Sequence, residues 1–454
     1  MRLPIDKLQI RVYNILTLTI AYILYTCFPD LSRGYGEKNF DTMERTILHA
    51  DMNNFFASVE CFLNPKLKPY PVAVCGNVEE RHGIVLAKNY KAKAFGVRTG
   101  EAIWQAKQKC PDLVVVNPHY EEYMKFSKAA REIYGYYTDQ VEAFGLDECW
   151  LDVSGSTMLF GSGEKIANEI RERIKFELGL TVSIGVSFNK IFAKLGSDMK
   201  KPDAVTCIPK ENFREIVWNL PASDMLGVGR STAKKLRSNG INTIGDIARL
   251  PCDLMTHKLG KCGTYIWKFA NGLDQSRATT VDYEVPVKSV GHGTTALQDL
   301  ENPAEVWTIM LALCQEIGHK LYTYNKKATG IAIDVRDNEL FTKHWQCVTP
   351  VSTQSPSFIA ETAFDLFSRN YTWRKPIRSV AVRAINLVPL NYPNQLSFFI
   401  DAEQINRRER LDNAVEDIRR RFGKNIILNA CLLNNPKMPP DCPARTVLPN
   451  GVPV

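Results

Sequence analysis

A chain of 454 residues exceeds what one hydrophobic core sustains, so three or four domains are expected. With 45% apolar and 23% charged residues it has the composition of a folded soluble protein, and a net charge of +8 permits an anionic partner without requiring one. The 12 cysteines include no C-x-x-C pair, which argues against a zinc site or a disulfide scaffold and for free thiols in a reducing cytoplasm; no G-x-x-x-x-G-K-[ST] loop occurs, which argues against a P-loop NTPase.

In chain order, residues 1–42 differ in character from the rest of the chain. Val12 to Phe28 is a nearly uninterrupted apolar run of 17 residues behind Arg2, Lys7 and Arg11, like a signal sequence or a marginal membrane anchor, but no small-residue cleavage site comes after it. Thr46 begins an apolar run that ends on Asp51, and Asn54 to Cys61 starts a helix. Tyr70 to Cys75 reads as a strand, and Tyr90 and Lys93 share a helix face. Glu121 to Tyr137 and Gly163 to Leu178 have helical period; Leu180 to Val186 is a β-branched strand. Between those helices, Val141 to Val153 carries adjacent acids, Asp147 and Glu148.

Adjacent residues of a strand point to opposite faces, so both acids reach one point only from a strand end or bend. Three carboxylates meeting without a neutralising Lys or Arg repel one another, and divalent cations between them relieve this. The acids alone also fit ordinary strand-end residues. Lys190 and Lys194 lie one helical turn apart, and Lys190 alone reads as surface charge.

Residues 209–275 hold two candidate helix-hairpin-helix turns, Met225 to Leu236 with Gly227 and Gly229, and a weaker copy with Gly260 and Gly263. Glycine allows a tight turn whose N–H groups face a phosphate at a helix start. Gln275 to Pro286 reads as a linker. Glu301 to Tyr322 and Ser357 to Phe367 are helical in period, and Thr329 to Asp334 and Arg378 to Leu387 are strand-like. Arg408 to Phe422 places Leu411, Val415, Ile418 and Phe422 on one helix face before Gly423. Residues 434–454, rich in Pro and Asn, have the composition of a disordered tail.

Asp51-Met-Asn-Asn-Phe-Phe-Ala-Ser-Val-Glu60, with Leu146-Asp-Glu148, resembles the two catalytic motifs of the Y-family, or translesion, DNA polymerases, most closely their bacterial DNA polymerase IV branch. The resemblance runs from about Met43 to about Leu433, with the motifs in the family's order. It implies an α+β multidomain right hand: a βαββαβ-like palm (43–53 and 119–208), small fingers (54–118), a helix-hairpin-helix thumb (209–275), a linker (276–288), an α/β little finger (289–392) and a tail (393–454). Met43 then looks like the natural start, and 1–42 an upstream extension without a catalytic role.

The resemblance further implies catalytic Asp51, Asp147 and Glu148, which with the Met52 carbonyl hold two Mg²⁺ ions (Mn²⁺ as substitute). It places Phe55, Phe56, Tyr90, Lys93 and Lys194 on the incoming dNTP, with Phe56 excluding ribose. Lys93 stands where many members have Arg, keeping a charge but losing a bidentate fork. Gly227, Gly229, Gly260, Gly263, Ser289, Gly291, Arg378 and Arg383 fall where the family grips primer-template DNA. Gln395, Leu396, Phe398 and Phe399 resemble the Q-L-x-L-F peptide that docks on the sliding clamp, with Phe398 replacing Leu. A monomeric cytoplasmic enzyme without a membrane partner is expected. The alternatives are a catalytically inactive DNA- and clamp-binding paralogue, and a nucleotide cyclase with a similar palm.

Overall fold

The computed structural model describes residues 45–77, 81, 83–393, 402–423, 426–432 and 437. Expectations for residues 1–42, for the clamp-like Gln395, Leu396, Phe398 and Phe399, and for the tail 434–454 (Lys437 apart) lie outside them. Among the described residues no helix is long and apolar enough to cross a membrane.

The first elements are strand β1 (Ile47–Met52), helix α1 (Phe55–Leu63), strands β2 (Val72–Cys75) and β3 (Val85–Lys88), helices α2 (Tyr90–Ala94) and α3 (Ile103–Lys109), and strand β4 (Val114–Val116). Then come α4 (Tyr120–Gly135), β5 (Val141–Ala143), β6 (Glu148–Asp152), α5 (Gly163–Arg173), β7 (Val182–Ser187), α6 (Lys190–Met199) and β8 (Val205–Ile208). Five strands form one sheet in the order β5-β6-β1-β7-β8, antiparallel except for the β7–β8 pair. β1 is central and buried along its whole length, which is why its sequence before Asp51 is apolar on both faces except at His49. Helices α4 and α5 cover one face, with Tyr123, Ile133, Tyr134, Ile166 and Ile170 in the core.

Helix α6 lies on the other face, unusually close. A Cβ on Gly185 of β7 would stand 1.9 Å from the Ala193 carbonyl oxygen, so only glycine permits that approach. Asn189 caps α6 by accepting from the Phe192 N–H at 2.8 Å. A smaller sheet, β3-β2-β4, packs on α2 and α3 around Ala73, Val85, Ala92 and Ile103.

Residues 209–275 are all helix and turn, with a core shared with Ile191, Phe192 and Leu195 of α6 and Ile208 of β8, and include α7 (Arg230–Arg237), α8 (Cys252–Leu259) and α9 (Lys261–Ala270). The stretch read as a linker runs back along the first sheet: the Thr279 N–H donates to Glu142 Oε2 at 3.0 Å and the Val281 N–H to the Asp139 carbonyl at 3.0 Å.

The last unit comprises β9 (Val290–Leu300), α10 (Pro303–Thr323), β10 (Lys326–Asp337), β11 (Thr342–Thr353), α11 (Pro356–Asn370), β12 (Ile377–Pro389) and α12 (Ala402–Phe422). Its antiparallel sheet has the order β11-β10-β12-β9, with α10 and α11 packed into one core with it.

Helix α12 ends as expected at Gly423, whose φ is +99°. Its apolar stripe does not turn inward: Leu411 is 64% and Phe422 69% exposed. The inward face is polar instead. Glu416 is buried against His319 Nδ1 at 2.8 Å, Glu409 pairs with Lys327 at 3.0 Å, and Arg419 Nη1 donates to Gln315 Oε1 at 2.9 Å.

Candidate active site

β1 and β6 pair so that Asp51 lies opposite Glu148. Asp147 occupies the bend just before β6, and its carbonyl accepts the Met52 N–H at 3.0 Å. That bend resolves the geometric difficulty of two adjacent acids, because only Glu148 is bound to the strand's alternation. Beyond Met52 the chain reverses through Asn54, whose φ of +50° is in the left-handed region that asparagine tolerates. Asn53 fixes the reversal with its side chain: Nδ2 donates to Ser183 Oγ at 3.0 Å, and Oδ1 accepts the Asp203 N–H at 2.9 Å. The loop carrying Lys201 is thereby tied to the turn that succeeds Asp51.

Asp51 and Glu148 face each other across the β1–β6 pair and Asp147 feels the charge of both, but counter-charges stand beside them, which corrects the expectation that no lysine or arginine neutralises them. Lys201 Nζ lies 2.6 Å from Asp51 Oδ2, and Lys194 Nζ 2.5 Å from Glu148 Oε2; Asp198 joins Lys201 at 3.0 Å. Among the described residues no three acid or imidazole side chains already converge as a ready cage for a metal. Burial pushes the Asp51 carboxyl up to about 6 despite Lys201. Burial, then the charges of Asp51 and Glu148, raise Asp147 to about 7. Burial also opposes the charge on Glu148, but His49 and Lys194 together hold it down at about 2. Two desolvated acids with raised affinity for a proton, beside a third that stays ionised, form a donor set of hard oxygens suited to a divalent cation. Lys201 and Lys194 supply the positive charge beside Asp51 and Glu148.

Around this centre, Phe55 is buried in the core, whereas Phe56 is half-buried and stacked on Tyr123 with ring centroids 4.2 Å apart and planes 10° apart. Tyr123 is held in turn by Glu60, which accepts its hydroxyl at 2.5 Å, so Phe56 rests on a fixed support. Tyr90 opens α2, with Lys93 Nζ 5.5 Å from its ring centre, and burial raises its hydroxyl while Lys201 and Asp51 act on it electrostatically.

Lys190, read as surface charge, is buried: it pairs with Glu142 at 2.6 Å and lies 4.4 Å over the Trp150 ring. Lys201 and His49 escaped the sequence reading. The only signal for Lys201 was a lysine before Pro202 at the end of the α6 run, and His49 had none beyond its position two residues before Asp51.

Of the glycines expected at DNA, Gly227, Gly229 and Gly260 are exposed, Gly227 with φ of +90° and Gly229 as the residue preceding α7. Gly263 is not at the surface. It is buried, its N–H donates to the Gly260 carbonyl at 2.9 Å, and a Cβ there would lie 2.0 Å from the Met255 carbonyl, so its role is close packing of α8 on α9. Ser289 and Gly291 are exposed at the start of β9, where Gly291 pairs with Arg383 of β12. Arg383 is exposed and reaches Asp334 at 3.3 Å. Arg378 is partly buried; desolvation, then the charge of Arg81, lowers its proton affinity.

Residues 50–198 match the model of the impB/mucB/samB family, residues 287–398 that of the family's C-terminal domain, and residues 223–274 a DNA polymerase iota thumb domain. The chain is 50% identical over 393 residues to the DNA polymerase IV of Acetivibrio thermocellus, covering 87% of this chain and 98% of that one. It is 32% identical over 398 residues to the DNA polymerase IV of Clostridium acetobutylicum, covering 86% and 99%. A solved Y-family DNA polymerase chimera superposes with a TM-score of 0.67 over 76% of this chain and 99% of its own, at 24% identity, a likeness of fold. Identity of this extent along nearly the whole of a relative, with the acids gathered where β1 meets β6, leads to one conclusion: the chain belongs to the impB/mucB/samB family of Y-family DNA polymerases.

Proposed function

We infer that the chain is a template-directed DNA polymerase of the translesion type, which adds dNTPs to a primer 3′-hydroxyl. The observation that carries this reading is the register that sets Asp51 opposite Glu148 at the paired ends of β1 and β6, with Asp147 and Tyr90 in electrostatic reach of Asp51. The 3′-oxygen attacks the α-phosphate and pyrophosphate leaves. Enzymes of this kind depend on divalent metal. Asp51, Asp147 and Glu148, with the Met52 carbonyl, would hold two Mg²⁺ ions, whose charge would stabilise the attacking and leaving oxygens.

The protein's own contribution is positioning and charge. Tyr90, Lys93 and Lys194 bind the triphosphate, and Lys201, 2.6 Å from Asp51 and in electrostatic reach of Tyr90, is a further candidate for that contact. Phe56, fixed on Tyr123, lies under the deoxyribose and excludes a 2′-hydroxyl. The four structural units correspond to palm (43–53 and 119–208), fingers (54–118), thumb (209–275) and little finger (289–392). The exposed glycine turns before α7 and α9, and Arg378 and Arg383 on the last sheet, hold DNA phosphates. Gln395, Leu396, Phe398 and Phe399 dock on the sliding clamp.

Primer extension on undamaged and damaged templates tests the reading. Extension on both supports it. Binding of primer-template without extension identifies an inactive paralogue, and cyclic nucleotide from ATP or GTP identifies a cyclase.

A further inference from the structure

His49 lies two residues before Asp51 on β1, fully buried, edge-on to Trp150 with ring centroids 5.2 Å apart. Its Nδ1 is 2.8 Å from Ser197 Oγ on α6, and the same oxygen is 2.8 Å from the Lys194 carbonyl. Its Nε2 makes no well-directed hydrogen bond among the described residues, but faces Glu148 Oε2 at 3.3 Å.

The hydroxyl of Ser197 has a single proton to give. Full burial favours the neutral ring, which carries one hydrogen; if the serine proton goes to the Lys194 carbonyl, Nδ1 must carry that ring hydrogen. Nε2 then presents a bare lone pair to a carboxylate oxygen, and two acceptors repel strongly where water is excluded. If the serine proton goes to Nδ1, the hydrogen sits on Nε2 and is aimed at Glu148. The second arrangement leaves no facing pair of acceptors.

We propose that His49 is a positioning residue that directs the Glu148 carboxylate through an Nε2–H···Oε2 hydrogen bond, its tautomer set by Ser197. Lys194 competes for that oxygen at 2.5 Å, on a flexible side chain. The imidazole, by contrast, is clamped between the central strand, Trp150 and α6. It holds Glu148 in one direction when the ammonium of Lys194 moves away, and the long contact closes as it does so. This inference rests on the reading of Glu148 as a catalytic carboxylate.

The test has two arms on the full chain. In the first, imidazole-¹⁵N labelling of the seven histidines, with the His49 signals identified by their loss in His49→Phe, reads the tautomer directly in the parent protein. The Nε2–H form is expected; the Nδ1–H form overturns the proposal, whatever the variant does. In the second, Mg²⁺ is titrated calorimetrically into each protein on primer-template DNA. His49→Phe should weaken Mg²⁺ binding about 10–100-fold, the usual loss when the partner of a ligating carboxylate is removed. DNA affinity should not change, and His49→Gln, which keeps an N–H donor, should recover part of the loss. Parental Mg²⁺ binding by a folded His49→Phe overturns the proposal. Glu148→Ala separates the two readings: if it too binds Mg²⁺ and extends primers normally, the catalytic assignment of Glu148 fails; if it is inactive while His49→Phe is unaffected, only the role of His49 fails.

Discussion

Asp147→Asn should make the metal-free protein more stable while destroying its activity. Burial and the neighbouring charges of Asp51 and Glu148 raise Asp147 from the ordinary 3.8 to about 7. A raised carboxyl binds its proton more tightly folded than unfolded, so its ionisation destabilises the fold. The loss is absent below the unfolded value, grows as pH rises between about 4 and 7, and is complete above 7. Each unit corresponds to about 1.4 kcal/mol, which sets a ceiling of roughly 4 kcal/mol. Asp147 is only partly buried, so solvent screening brings the expected gain to about 2 kcal/mol. Differential scanning calorimetry in EDTA should show Asp147→Asn melting above the parent at pH 8, with about half that gain at pH 5.5. Millimolar Mg²⁺ should raise the parent's melting temperature and leave that of the variant nearly unchanged. A variant no more stable than the parent at pH 8, or a gain that increases as pH falls, would refute the account of the site's electrostatics.

Phe56→Ala should admit ribonucleotides, read as the ratio of dNTP to rNTP incorporation, whereas Phe55→Ala should chiefly destabilise, by about 3–5 kcal/mol, because its ring is buried in the core. Gly185→Ala forces a methyl group against the Ala193 carbonyl, a backbone atom that cannot yield, and should cost about 1–3 kcal/mol in denaturant melts. Replacing Leu396, Phe398 and Phe399 together by Ala should abolish the clamp's stimulation of primer extension. Thermal stability and clamp-free synthesis should remain as in the parent; a destabilised triple mutant still stimulated by the clamp would reject the docking proposal.

The parts of the site written in local pattern were legible from the sequence. Two apolar runs meeting acids foretold buried strands that carry Asp51 and Glu148 to one sheet, and these are β1 and β6. What lies across from a residue is not local, and there the sequence was silent or misleading. The spacing of Lys190 and Lys194 identifies a helix face, but not that Trp150 and Glu142 meet one lysine and Glu148 the other. Gly263 looked like part of a phosphate-binding turn because a G-x-x-G pattern does not reveal that the second glycine packs on Met255. β9 and β11 were missed because their buried positions include His292, Thr294, Thr349 and Ser352, so the alternation is not an apolar one. On α12 the periodic stripe was real, yet part-buried polar contacts to His319 and Lys327 hold the opposite face to the protein.

The central claim is that three carboxylates at the ends of β1 and β6 drive nucleotide addition. Single-turnover primer extension with Mg²⁺, comparing the parent with Asp147→Ala at matched occupancy of primer-template DNA, tests it most directly. The expected result is equal DNA binding and a loss of extension of at least several kcal/mol in the barrier, about a thousandfold or more in rate. Extension by Asp147→Ala at near the parent rate would contradict it.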